Sequence, residues 1–285
     1  MQNIAAGAIL AAFLAVTPVV AEPIGTGSGR QTAVLGKAQL PVFTYRPNGC
    51  ADPSLLLVFH GAERNAADYR DYARGLADQN CMLVVAPLLA QHTFPSWRYQ
   101  RGGIVDKNGV PRDPSKWTGR LILDLVGWVR TQEGRPLPYS LIAHSAGGQF
   151  LSRLAAFVPT EARHIVLANA GTYVLPSLAV DAPYGLGEVY AGADGEQHLQ
   201  RYLQQPMTIY LGADDTKDDT RNNSPEARAQ GASRHARGLN VFTAGKALAQ
   251  SRGWPFNWRL IELPGVGHDG QKMLAAPQAS EALAP

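Results

Sequence analysis

Six short apolar runs constrain this chain more than any other feature. Residues 55–59, 82–86, 139–143, 164–168, 207–211 and 258–263 are brief, nearly uninterrupted stretches of Leu, Val, Ile, Ala, Phe and Tyr. Between them the sequence changes to helical spacing, as in 65–79, 117–128 with Trp117, Leu121, Leu125 and Trp128 in step, 146–157 and 226–252. A short run without alternation is a strand buried on both faces. Strands of that kind separated by helices specify an α/β fold with a mainly parallel sheet between helices. No repeat divides the chain, so one domain is expected. Ahead of the first run, 25–29 reads as a Gly/Ser linker and 33–45 as one or two antiparallel strands. Two stretches without period, 91–115 and 171–192, read as long loops, each a candidate lid.

Residues 4–20 are almost wholly apolar or small, and Val19 and Ala21 fit the small residues that precede a signal-peptidase cut. The run is too short and too alanine-rich to favour a permanent span. Residues 1–21 are therefore expected to be a signal peptide, leaving 22–285 as the secreted or periplasmic protein, although no Lys or Arg precedes the run; an uncleaved anchor is the alternative. Export gives the two cysteines meaning, because Cys50 and Cys81 each stand just before an apolar run. If those runs are neighbouring parallel strands, a Cys50–Cys81 bridge closes a loop of about 30 residues, worth roughly 3–4 kcal/mol in the chain-entropy model. Two free buried thiols are the alternative.

Charge excludes some classes of function. The formal net charge is +3, and no Lys/Arg block has the density of a nucleic-acid arm. Neither H-E-x-x-H nor a strand-to-helix G-x-G-x-x-G is present, so no metal and no cofactor is expected.

Ligands of open α/β sheets bind beyond the carboxyl ends of the strands. Following each run in turn gives His60-Gly61, His144-Ser145-Ala146-Gly147, Asn169-Ala170-Gly171, Gly212-Ala213-Asp214-Asp215 and Gly265-Val266-Gly267-His268. Ala143-His144-Ser145-Ala146-Gly147 is a G-x-S-x-G nucleophile turn with alanine in place of the first glycine. Ser145 is the candidate nucleophile. Of the seven histidines, only His268 lies in a late Gly-rich turn after the final strand, and it is the candidate base. On one turn only one of Asp214 and Asp215 points inward; the spacing from Gly212 selects Asp215 as the orienting acid, with Asp214 in reserve. The amide of Ala146 and one from the loop after the first run, taken as Ala62, are the expected oxyanion donors. Tyr173, Tyr184 and Trp97, all in the long loops, are candidates to line a substrate site. Arg98 and Arg101 read as solvated surface, as does the acidic pair Asp218-Asp219, which lacks the spacing of a calcium loop.

Together these residues resemble the α/β-hydrolase superfamily, and within it secreted esterases of the polyhydroxybutyrate depolymerase and feruloyl esterase type. The resemblance rests on Phe59-His60-Gly61, the Ser145 turn, the Gly212-x-x-Asp215 turn and the late Gly-x-Gly-His268, spanning about 54–276. It implies a serine esterase with a Ser-His-Asp triad acting on a small or polymeric ester. A serine peptidase or polyamide hydrolase would use the same residues. A non-catalytic binding protein of this fold would be expected to have lost one of them. Oligomeric state is not legible.

Overall fold

The computed structural model describes residues 22–219 and 221–284. The expected signal peptide, 1–21, lies outside the described residues. The chain forms one eight-stranded sheet: β1 (Gly27–Leu35), β2 (Ala38–Arg46), β3 (Ser54–Phe59), β4 (Met82–Pro87), β5 (Tyr139–His144), β6 (Ile165–Ala168), β7 (Met207–Gly212) and β8 (Arg259–Leu263). Their spatial order is β1-β2-β4-β3-β5-β6-β7-β8. The strands β3 to β8 are mutually parallel, while β1 and β2 form an antiparallel hairpin added to the β4 edge. The six apolar runs are the six parallel strands, as their composition requires.

Alternate residues of each strand divide between two cores. Leu55, Leu57, Phe59, Leu141, Ala143, Leu167 and Ile209 face one way, against α3 (Thr118–Glu133), α4 (Ala146–Phe157), α5 (Gly192–Leu203) and α7 (Arg234–Arg252). Leu56, Val58, Ile142, Val166 and Tyr210 face the other way, against α1 (Ala66–Tyr72), α2 (Arg74–Asn80), α8 (Gly270–Ala275) and α9 (Pro277–Ala282). After β3 the chain moves outward to β4 in one direction and, from β5 onward, in the other. The switch point therefore lies between the carboxyl ends of β3 and β5, where such sheets open a crevice.

Three expectations need correction. Gly27–Gly29 is not linker but the start of β1, paired with Thr44–Arg46. An edge strand half exposed to water shows no continuous apolar run. The segment 226–252 is two helices, α6 (Pro225–Gln230) and α7, because Gly231 takes a φ of +144° and Ser233 caps the second helix through the Ala236 amide. The segment 65–79 bends at Ala73, whose ψ of −3° separates α1 from α2. The long loops are packed rather than loose: Phe94, Tyr99, Ile104 and Val105 of the first, and Tyr173, Val174 and Leu186 of the second, are all buried in the core.

Cys50 and Cys81 form a disulfide with Cα atoms 5.5 Å apart, at the amino ends of β3 and β4, which pair from Ser54 and Met82 onward. None of the described helices is long and apolar enough to cross a membrane.

Candidate active site

Ser145 sits between β5 and α4 with φ +58° and ψ −114°. An L-residue holds such a conformation only where the surroundings impose it. Here the imposition comes from close packing: a Cβ at Gly147 would lie 2.8 Å from the Phe59 carbonyl oxygen and 2.9 Å from that of His60. Only glycine lets α4 pass so near the end of β3. Ala143, where the motif carries its first glycine, is wholly buried in the sheet core, so its methyl group has a place.

The structure brings Ser145, His268 and Asp215 together. His268 Nε2 is 2.9 Å from Ser145 Oγ, and His268 Nδ1 is 2.8 Å from Asp215 Oδ2. Asp215 is buried, whereas Asp214 is exposed and takes no part. The acid and base loops are joined by main-chain bonds, from Ala213 N to Leu263 O and from Asp214 N to Val266 O. Asn169 spans the same two loops, accepting from the Gly212 amide (2.7 Å) and donating to the Gly267 carbonyl (3.0 Å). The amides of Ala62 and Ala146 donate to no acceptor among the described residues. Both stand beside Ser145, Ala62 in the loop after β3 and Ala146 as the first residue of α4, so each N–H is free for an oxygen arriving at the serine.

Several positions gain their role only through tertiary contact. Arg234 lies 3.4 Å from Asp215 Oδ1 and 2.7 Å from Asp219 Oδ1, and Arg237 holds the other Asp219 oxygen at 3.1 Å. Asp219 is thus a buried, doubly paired carboxylate that also accepts from the amides of Arg221 and Asn222. The reading of Asp218-Asp219 as a solvated acidic pair is wrong for Asp219, and the described residues hold no group of three or more metal-ligating side chains. His144 is buried, bonded through Nδ1 to the Tyr69 hydroxyl at 2.8 Å, with its ring 4.6 Å from that of His268. Burial, then the nearby His268 and Arg234, hold its pKa well below the ordinary histidine value. His60 donates from Nδ1 to the Gly61 carbonyl and accepts the Leu89 amide at Nε2, tying the turn after β3 to the turn after β4. Burial pushes its pKa down to about 4.

The candidate lining aromatics require correction. Tyr173 is fully buried behind the site, and its hydroxyl meets no partner among the described residues. Tyr184 lies beneath the guanidinium of Arg153, and Trp97 beneath that of Arg112. None of the three lines the opening above Ser145. That cleft, of about 310 Å³, is lined instead by Gly61, Ala62, Tyr69, Tyr72, His144 and His268 with the charged Glu63, Arg221 and Asp269.

Comparison with known proteins agrees with this fold. No family model matches the chain, and no curated protein sequence matches it. Among solved structures it is similar to LpqC, a poly(3-hydroxybutyrate) depolymerase from Bordetella parapertussis, at 33% identity and a TM-score of 0.81 over 91% of this chain and 96% of that one. Poly(aspartic acid) hydrolase-1 from Sphingomonas sp. KT-1 is similar to the same degree, at 33% identity and a TM-score of 0.81, covering 90% and 98%. Mycobacterium tuberculosis MPT51, at 15% identity and a TM-score of 0.55 over 91% and 97%, shares the fold alone.

Proposed function

This chain belongs to the α/β-hydrolase superfamily, on its esterase and depolymerase side, and from that membership we propose that it is an exported serine hydrolase cleaving carboxylic esters through an acyl-enzyme. The observation that carries the proposal is the unbroken line from Ser145 Oγ through His268 to Asp215, with bonds of 2.9 and 2.8 Å. His268 Nε2 takes the proton of Ser145 as Oγ adds to the ester carbonyl carbon, and Asp215 stabilises the imidazolium and fixes its tautomer. The Ala62 and Ala146 amides receive the oxyanion; one such donor typically contributes 10²–10³ in rate. His268 then gives its proton to the departing alkoxide. A water attacks the acyl-serine by the same route in reverse, releasing the acid and restoring Ser145.

The cleft favours a neutral chain. Glu63 and Asp269 outnumber Arg221 along its walls, so a polyanion would meet no surplus of positive charge there. One similar structure is named for a polyester and the other for a polyamide of aspartate, and this balance of charge favours the ester. The disulfide supports an oxidising compartment.

The test is a fluorophosphonate label read by mass spectrometry. Labelling is expected at Ser145 and is lost in Ser145→Ala and His268→Ala. A matched screen of short aryl esters, hydroxybutyrate oligomers and aspartate oligomers should then rank the esters first. A folded protein that takes no label refutes the serine chemistry, and faster turnover of the aspartate oligomers refutes the ester assignment.

A further inference from the structure

A second hollow, of about 420 Å³ and larger than the Ser145 cleft, shares no residue with it. It opens between the 91–115 loop and the N-terminus of α3. Four cations line it, Arg98, Arg112, Lys116 and Arg120, against one exposed carboxylate, Asp124. None of the four cations forms an ion pair among the described residues.

Two features distinguish this groove from a solvated basic surface. The first is that its guanidiniums are held in place. Arg112 lies over the Trp97 ring at 5.0 Å and donates to the Gly103 and Lys116 carbonyls; Arg98 lies over Phe94 at 4.9 Å and donates to the Thr93 carbonyl. Each has lost side-chain freedom in advance, and each keeps donors to spare. Burial, together with like charge from Arg112, already depresses the Arg98 pKa, as expected of two cations facing one another without an anion. The second feature is unmet polar capacity. Thr118, the first residue of α3 and only 2% exposed, lines the hollow with an Oγ1 that has no partner, and the Arg98 Nε is likewise buried and unpaired among the described residues. Arg112 and Thr118 approach each other beside Gly103, where a built Cβ would sit 2.8 Å from Arg112 Nη1 and 3.2 Å from Thr118 Oγ1; that nitrogen is already committed to the Gly103 and Lys116 carbonyls, so the donors Arg112 has to spare are Nε and Nη2. Buried polar groups are rarely left unsatisfied in a finished structure. Thr118 also opens a 16-residue helix whose N-cap, Trp117, supplies no capping side chain; the Thr118 amide is held by the Gly102 carbonyl, and the positive end of the helix dipole borders the hollow.

We propose that Arg98, Arg112, Thr118 and the N-terminus of α3 form a binding site for a compact oxyanion carrying two or more charges, separate from the hydrolytic cleft. Forked guanidiniums match a carboxylate cluster and a phosphate group equally well, so the chemistry defines the oxyanion and not its source. The site also gives Trp97 a place: it supports Arg112 and touches no substrate at Ser145.

Isothermal titration of the protein with inorganic phosphate, and separately with citrate, at ionic strength held constant with sodium chloride, tests this. Saturable binding of at least one is expected. Phosphate alone identifies a phosphate ligand, citrate alone a polycarboxylate, and both together the shared chemistry. Arg98→Gln with Arg112→Gln should weaken binding at least tenfold, and Thr118→Val severalfold. Because Arg112 also supports its loop, Lys116→Gln with Arg120→Gln is the second variant. Those side chains make no hydrogen bond among the described residues, so the fold and the turnover of a soluble aryl ester should be unchanged while affinity falls. Absence of saturable binding by either anion overturns the proposal. So does binding of unchanged affinity in both double variants.

Discussion

Replacing Asp215 with Asn preserves the shape of the site and removes one charge. In the proposed reaction that charge faces the imidazolium of His268 across 2.8 Å. With an effective dielectric of about 20, Coulomb's law assigns the pair about 6 kcal/mol. Because the His268 side chain is 29% exposed, water screens part of this, and about 4–6 kcal/mol is a fair range for the loss. At 1.36 kcal/mol per tenfold change, kcat should fall by about 10³–10⁴. The new amide adds to the loss, since an Asn –NH₂ facing Nδ1 favours the tautomer that places a proton between Nε2 and Ser145. Arg234, 3.4 Å from the lost carboxylate oxygen, keeps Asp219 at 2.7 Å but loses one of its two counter-charges, which further disfavours the imidazolium. The assay is hydrolysis of 4-nitrophenyl acetate, with KM expected to change little and thermal melting confirming the fold. Asp214→Asn, on the exposed neighbour, should stay within twofold of the wild type. An Asp215→Asn enzyme retaining more than a tenth of wild-type kcat, or an equal loss in Asp214→Asn, would refute this account of the acid.

Other outcomes stem from the packing. Cys50→Ser with Cys81→Ser opens a loop of sequence separation 31; the chain-entropy model gives a loss of about 4 kcal/mol, or about 7 °C in Tm for a chain of this length, measured by calorimetry with the reduced wild type as its match. Gly147→Ala should cost about 1–3 kcal/mol in urea unfolding and reduce kcat as well, because its methyl meets two backbone oxygens under 3 Å away, while Gly127→Ala, with open space around it, should be neutral or stabilising. His60 is neutral in the fold, since burial lowers its pKa to about 4, yet it is protonated below about 6.5 in the unfolded chain. The unfolded state therefore binds more protons between those values, and stability falls on acidification through that window by up to about 3 kcal/mol. Denaturant titrations at several pH values should show His60→Gln flattening that slope, with the remainder, which His144 contributes in the same sense, left in place.

Strand positions were legible because burial on both faces writes a strand as an unbroken apolar run. The edge hairpin was harder to see: in β1 Arg30 faces water and Gln31 is only half-buried, and Gly27–Gly29 join the sheet as backbone pairs. Ser145, His268 and Asp215, which the fold brings together, could be picked out from the residues just beyond the apolar runs, because the sheet delivers the carboxyl end of each of its six parallel strands to one rim. Tyr69, His144 and Asn169 could not, since each acts on partners far away in the chain; Tyr69 meets His144 across 75 positions and Asn169 meets Gly267 across 98, while Arg234 meets Asp219 across only 15, from helix to loop, in no recognisable spacing. Asn169 did leave a trace, standing in the turn after β6. The loop aromatics misled for the opposite reason. Tyr173 looked like an exposed recognition residue, but its loop dips into the core, where an aromatic ring is simply packing.

The bridge made by Asn169 has a consequence for how the molecule fails. Because one buried amide and two main-chain bonds join the turn of Asp215 to the turn of His268, neither can loosen while the other stays put. Loss of function on heating should therefore not run ahead of loss of structure: the curve of residual activity and the melting curve of the sheet should coincide. It also sets a rule for redesign. Segments around the mouth of the cleft can be lengthened or exchanged one at a time, but the stretches 212–215 and 264–268 are a matched set, to be transplanted together or not at all.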